Sequence, residues 1–163
     1  MKICIVGPSG AGKSTISKKL AKIFNIDEYQ FDEIYWDLTG GEFVKNSEEF
    51  IAEAIEEILK KDEWIVEGAY DKRMSSFLVD CSLILQMDVP FGLRSIRLIR
   101  RLLLSKVKRE KPKETLSNTV ELIRFSYTFD KKLNLFLEQN MFSNKVVKFR
   151  DLSSSLDAIK NRQ

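Results

Sequence analysis

Residues 7–14 read Gly7-Pro8-Ser9-Gly10-Ala11-Gly12-Lys13-Ser14, the pattern G-x-x-x-x-G-K-[ST]. The run before it, residues 2–6, is short and apolar and stops hard at Gly7, which predicts a strand. After it, Ile16, Leu20, Ile23 and Phe24 recur at helical spacing over residues 14–24. A glycine-rich turn between a strand and a helix is a phosphate cradle. Gly7, Gly10 and Gly12 let the backbone curl until successive N–H groups point inward. The helix N-terminus adds its partial positive charge. Lys13 is expected to bridge the outer phosphates, and the Ser14 hydroxyl to ligate Mg²⁺. Pro8, Ser9, Ala11 and Thr15 complete the expected nucleotide site. The ligand class is a nucleoside triphosphate. No Asn-Lys-x-Asp guanine-reading sequence is present, which leaves ATP with Mg²⁺ as the expected pair.

The same alternation continues outward. Short apolar runs predict strands at 28–31, 64–66, 82–87 and 145–149. Helices are expected from an Asn46 or Ser47 cap to about 61, from Pro90 to about 107, over 115–139 with Leu116, Val120, Ile123 and Tyr127 on one face, and over 154–161. Five strands separated by helices predict an α/β domain with a parallel sheet. The 163 residues make one domain, 1–163. At 44% hydrophobic and 31% charged, the composition excludes disorder. No apolar run approaches the ~20 residues of a membrane helix, and no secretory signal is visible, so the cytoplasm is the expected compartment. Histidine is absent, which excludes Ser-His-Asp triads, Cys-His pairs and histidine-held metals. Cys4 and Cys81 each lie in apolar stretches that read as buried strands, where cysteine serves as a small core residue.

Carboxylates at the carboxyl ends of parallel strands face the ligand crevice. Asp32, Glu67 and Asp88 stand at such ends. Glu67 precedes Gly68, where the chain leaves the sheet, and is expected to hold a Mg²⁺-bound water or the acceptor. Asp32 precedes Tyr35 and Trp36, which could stack on a flat acceptor while Asp32 takes its proton. A phosphate-bearing acceptor would call for a further cation such as Arg73.

Charge is unevenly spread. Residues 27–67 hold 14 acids against three lysines, and residues 94–113 hold nine bases against one acid. The acidic helix reads as a solvated face. In the helix after Pro90, Arg94, Arg97 and Arg101 fall within a sector about 60° wide. Ile96, Ile99 and Leu103 lie opposite. The expectation is a helix that packs its isoleucines on the core and presents three guanidiniums to the phosphates. The basic stretch after it, within 102–115, is expected to form a small helical lid.

Taken together, MKICIVGPSGAGKST, FDEIYW, WIVEGAY, LILQMDVP and the arginines Arg97 and Arg101 resemble the adenylate-kinase-like branch of P-loop kinases, most closely the bacterial "DNA topology modulation protein" family. The resemblance spans nearly the whole chain. It implies three α/β/α layers, with five parallel strands in the order 2-3-1-4-5. It also places Glu67 where an Asp-Gly pair of nucleotide kinases faces the acceptor. Family members usually carry a basic residue where this chain has Phe91. The function so indicated is ATP-dependent phosphoryl transfer to a small acceptor, such as a nucleotide, nucleoside or similar metabolite. The alternatives are an ATP-driven protein that contacts nucleic acid and modulates DNA topology, or a binding protein that retains only nucleotide affinity. Aromatics are not interleaved with the basic block and no helix-turn-helix signature is present, so nucleic acid is the less favoured partner.

Overall fold

Strand β1 (Lys2–Val6) alternates its side chains between two apolar faces, and both are buried. Ile3 and Ile5 enter one core; Cys4 and Val6 enter the other. A strand covered on both sides reads as a continuous apolar run, and a central parallel strand is its usual place. The structure, a computed structural model, describes residues 1–37, 39, 43–69, 74–108, 115–138 and 140–162.

Five parallel strands form the sheet: β1, β2 (Glu28–Gln30), β5 (Trp64–Gly68), β6 (Leu83–Met87) and β7 (Val146–Phe149). Their spatial order is β2-β5-β1-β6-β7. Counting these five alone, that is the expected 2-3-1-4-5. Helices α1 (Lys13–Phe24) and α8 (Leu152–Lys160) cover one face. The other face carries α2 (Phe31–Tyr35), α3 (Glu48–Leu59), α4 (Ser75–Asp80), α6 (Leu116–Leu137) and α7 (Asn140–Ser143). Helix α5 (Phe91–Lys108) packs along α6 and lies against the loop after β1. Ser47 caps α3 by accepting from the Phe50 N–H, and Thr115 caps α6 in the same way through Asn118.

Several elements differ from the sequence expectation. Residue 31 and Asp32 belong to the short helix α2, so Asp32 stands in a helix's first turn rather than at a strand end. A small antiparallel hairpin, β3 (Trp36–Asp37) with β4 (Val44–Lys45), follows it. Cys81 is not in a strand: it closes α4, whose Phe77 and Leu78 are buried. Short apolar runs do not by themselves separate strand from helix. Both cysteines are free and buried, as core residues should be. The expected lid falls partly in α5, which is helical to Lys108; residues 109–114 lie outside the described residues.

The main correction concerns α5. The helix is turned about its axis relative to the expectation. Ile96, Ile99 and Leu103 are exposed, while Leu98, Leu102 and Arg94 are buried. Arg94 is 1% exposed and makes two parallel hydrogen bonds to Asp130 of α6, Nη1–Oδ1 at 2.9 Å and Nη2–Oδ2 at 2.6 Å. The Phe91 ring covers the guanidinium, with the cation 5.8 Å from its centroid, and packs edge-on to Tyr127. A bidentate carboxylate makes burial of a guanidinium tolerable, and hydropathy counting does not see that partner. The same bias affects α6. Its buried face carries Thr119, Ser126, Phe129, Leu133 and Leu137, whereas Leu116, Val120 and Tyr127 are exposed.

Removing Asp130 leaves a buried cation without its partner. Asp130→Ala should therefore lower unfolding free energy by about 1–3 kcal/mol, less than for a fully buried pair because Asp130 is half-exposed. Ile99→Gln, on the outward face, should change it by less than about 0.5 kcal/mol. Urea unfolding compares the two, and equal losses would contradict this orientation of α5.

Candidate active site

The loop after β1 turns on two residues with positive φ, Gly10 at 78° and Gly12 at 103°. Space reinforces the demand at Gly10. A Cβ there would lie 2.8 Å from the Arg94 carbonyl oxygen of α5. The turn closes with the Ala11 N–H on the Pro8 carbonyl at 3.2 Å, and α1 begins at Lys13 with its first N–H groups facing the loop. The cradle is thus a tight backbone curl wedged against a second helix.

Sheet order delivers the carboxylate. Glu67 of β5 lies between Ile5 of β1 and Gln30 of β2 in register, at the carboxyl end of the sheet. It is buried, and its Oε1 accepts from the Ser14 hydroxyl at 2.5 Å. Burial pushes the Glu67 carboxyl above the ordinary glutamate range, against the opposing pull of Lys13 and Ser14. The Lys13 ammonium lies 4.0 Å from Glu67 Oε2 and 3.4 Å from the Pro8 carbonyl. Burial lowers its pKa, Glu67 and Asp32 raise it, and Arg101 lowers it further. Lys13 thus feels the charges of Glu67, Asp32 and Arg101 together. A hydroxyl and a carboxylate oxygen facing each other are hard donors of the kind Mg²⁺ takes when phosphates supply the remaining ligands. Ser14 and Glu67 fit that ion.

A cavity of about 390 Å³ joins the pieces. Ser9, Gly10, Gly12, Lys13, Ser14 and Thr15 line one side, and Gln30, Asp32 and Glu67 another. Arg97 and Arg101 enter from α5. Arg97 donates Nη1–H to the Ala11 carbonyl at 2.7 Å, which ties α5 to the outside of the loop. Asp32 and Glu67 thus share one crevice.

Other expected residues sit elsewhere. Gly68 is buried with its Cα against core side chains: a Cβ would meet Met74 Sδ at 2.7 Å and Phe31 Cβ at 3.0 Å. Tyr35 and Trp36 pack edge-on with centroids 4.6 Å apart, and Trp36 in turn packs on Phe43 at 6.1 Å. The two aromatics brace the hairpin and do not line the loop cavity. Gly7 and Pro8 form the loop's entry, and Ala11 is fully buried. Asp88 pairs with Arg150 at 3.1 Å on the surface. Arg73 lies outside the described residues. Sequence reasoning missed Gln30, Asp130 and the core role of Arg94. Only the i, i+3, i+7 spacing of the arginines pointed toward this helix face, and it could not say which way the face turned.

No protein-family model matches the chain, and no curated protein matches it. Among solved structures, the chain is similar to a shikimate kinase from Acinetobacter baumannii in complex with shikimate. That match has 18% identity and a TM-score of 0.54 over 98% of this chain and 89% of that one. It is likewise similar to a shikimate kinase from Bacteroides thetaiotaomicron, with 17% identity and a TM-score of 0.53 over 99% and 93%. At this identity the likeness establishes the fold, a P-loop α/β sandwich, along the full chain.

The loop geometry carries a direct expectation. Gly10→Ala combines a left-handed φ with a backbone clash against Arg94, so the loop must shift away from α5. ATP affinity, read by calorimetry, should fall at least tenfold (roughly) while β1 and α1 remain folded by circular dichroism. Unchanged affinity would separate the curl from nucleotide binding.

Proposed function

We propose that this protein is an ATP-dependent phosphotransferase acting on a small hydroxyl acceptor. The observation that carries the reading is the convergence of Lys13, Ser14, Asp32, Glu67, Arg97 and Arg101 on one crevice at the carboxyl end of the sheet. The P-loop fold and its kinase neighbours support it. In this reading the curl from Gly7 to Gly12 binds the triphosphate through its N–H groups, with Pro8, Ser9, Ala11 and Thr15 as its frame. Lys13 and Arg97 neutralise charge on the outer phosphates, and Arg101 does so at the transferred group. Ser14 and Glu67 would hold Mg²⁺, Glu67 through a water, and the ion would supply positive charge to offset that of the phosphates. Asp32 accepts the proton of the acceptor hydroxyl. The acceptor oxygen forms the new O–P bond, the bond to the β-phosphate oxygen breaks, and ADP leaves with the electron pair. Tyr35 and Trp36 would act on the acceptor side indirectly, by bracing the hairpin that carries Phe43, and Gly68 by ending β5 against Met74 and Phe31.

FDEIYW and WIVEGAY support grouping the chain with the "DNA topology modulation protein" family, acting in the cytoplasm. That label names no chemistry. No helix among the described residues is long and apolar enough to cross a membrane. The basic helix α5 does not favour a nucleic-acid surface, because Arg94 is buried on Asp130 and Arg97 and Arg101 face the phosphate crevice.

Lys13→Ala should lower kcat about a hundredfold or more in an ADP-release assay with a responsive acceptor, since the cation acts where charge develops. Normal turnover would sink the assignment. The pH profile supplies a second check. Glu67 works here as an anion, and burial raises its pKa. The kcat/KM for ATP, which reports the free enzyme, should therefore fall on acidification at a pH above the ordinary glutamate range, and Glu67→Gln should remove that limb while raising the Mg²⁺ requirement.

A further inference from the structure

A second cavity, of about 550 Å³, opens beside the phosphate crevice. Its volume lies in the range of small-molecule sites. Its walls are Phe43 from the hairpin, Arg101 from α5, and Asn118, Glu121, Leu122 and Phe125 from α6. The four α6 residues follow i, i+3, i+4, i+7, so one helix face builds the wall. Arg101 lines both cavities and is where they meet. Phe43 and Phe125 are 53% and 43% exposed, large apolar side chains left at the cavity rather than folded into the core. Trp36 packs edge-on against Phe43.

The wall chemistry discriminates by charge. Phe43, Leu122 and Phe125 offer an apolar lining with two aromatic rings. Asn118 can donate and accept hydrogen bonds. Glu121, when ionised, only accepts them, and it repels anions. Among the described residues that line the cavity, Arg101 is the one cation, and its field already reaches Lys13 in the phosphate crevice. Among the described lining residues, a phosphate or carboxylate on a ligand here would lie beside Glu121 and would have to share Arg101 with the phosphate crevice, and a poorly matched desolvated charge is costly.

We infer that this cavity holds the body of the phosphoryl acceptor, and that the acceptor is a hydroxyl compound with an aromatic or apolar body and no anionic group, of nucleoside rather than nucleotide type. The inference rests on the kinase reading above. The body lies against Phe43, Leu122 and Phe125. Its amino or hydroxyl groups bond to Glu121 and Asn118, and its reacting hydroxyl passes Arg101 toward Asp32.

The test reads binding, so that it does not depend on turnover. The intact protein, saturated with a non-hydrolysable ATP analogue, is titrated by calorimetry with a set of nucleosides and their matched 5′-monophosphates. At least one nucleoside should bind, about tenfold or more tighter than its monophosphate. Glu121→Lys should reverse that ranking, and Phe125→Ala should weaken the nucleoside about tenfold. Both side chains are exposed, so neither substitution threatens the fold. Ile96→Gln, on the outward face of α5, serves as the control. The inference is overturned by tighter monophosphate binding, by no binding from any member, or by binding indifferent to both substitutions. Nucleosides that bind and respond to these substitutions but yield no ADP with ATP would overturn the kinase reading and leave the ligand class of the cavity standing.

Discussion

Arg94 carries a full charge into a nearly dry place between α5 and α6, and Asp130 meets it there with two hydrogen bonds. Most of the site's geometry follows from that pair. It sets the rotation of α5 about its own axis. With Arg94 inward, its carbonyl oxygen lies against Gly10 and permits no side chain on the loop. One turn further, Arg97 reaches the Ala11 carbonyl. One turn beyond that, Arg101 stands between the two cavities. The isoleucines are left facing solvent. A buried ion pair adds little net stability compared with a well-packed apolar one, but its geometry is directional. Here the direction places two further guanidiniums at the phosphate cradle.

The second constraint is electrostatic. Glu67 is buried and Lys13 largely so, and burial destabilises each charge; the two lie 4.0 Å apart and offset one another. Among the described residues, each of the two charges has few partners. Lys13 has one long contact to a carbonyl oxygen, and Glu67 shares a single hydroxyl proton with Ser14. A polyanion with a divalent cation would supply what each lacks, which is the physical sense in which the crevice is preorganised for them.

The legible part of this protein lay where local sequence and backbone geometry coincide. Strand, glycine turn and helix at residues 2–24 were readable because the loop's φ values demand glycine and the strand is apolar on both faces. The sheet order followed from the family resemblance. What sequence alone did not yield was the facing of α5 and α6. Moment arguments assign isoleucine inward and arginine outward, and Asp130, 36 residues from Arg94, reversed that assignment. The hairpin after α2 was also invisible, since two-residue strands carry almost no period. It mattered, because it brings Phe43 to the second cavity while Tyr35 and Trp36 brace it. Phe91, at a position where the sequence resemblance led one to expect a basic residue, covers the Arg94 guanidinium.

A kinase crevice moves a phosphoryl group from ATP to a carbon-bound hydroxyl rather than to water. The most direct measurement is the fate of label from γ-³²P-ATP incubated with the protein and a small-molecule extract, separated by chromatography. A labelled organic phosphate whose formation needs the intact protein is the expected result. Label recovered only in inorganic phosphate, or retained wholly in ATP under saturating Mg²⁺, would contradict it.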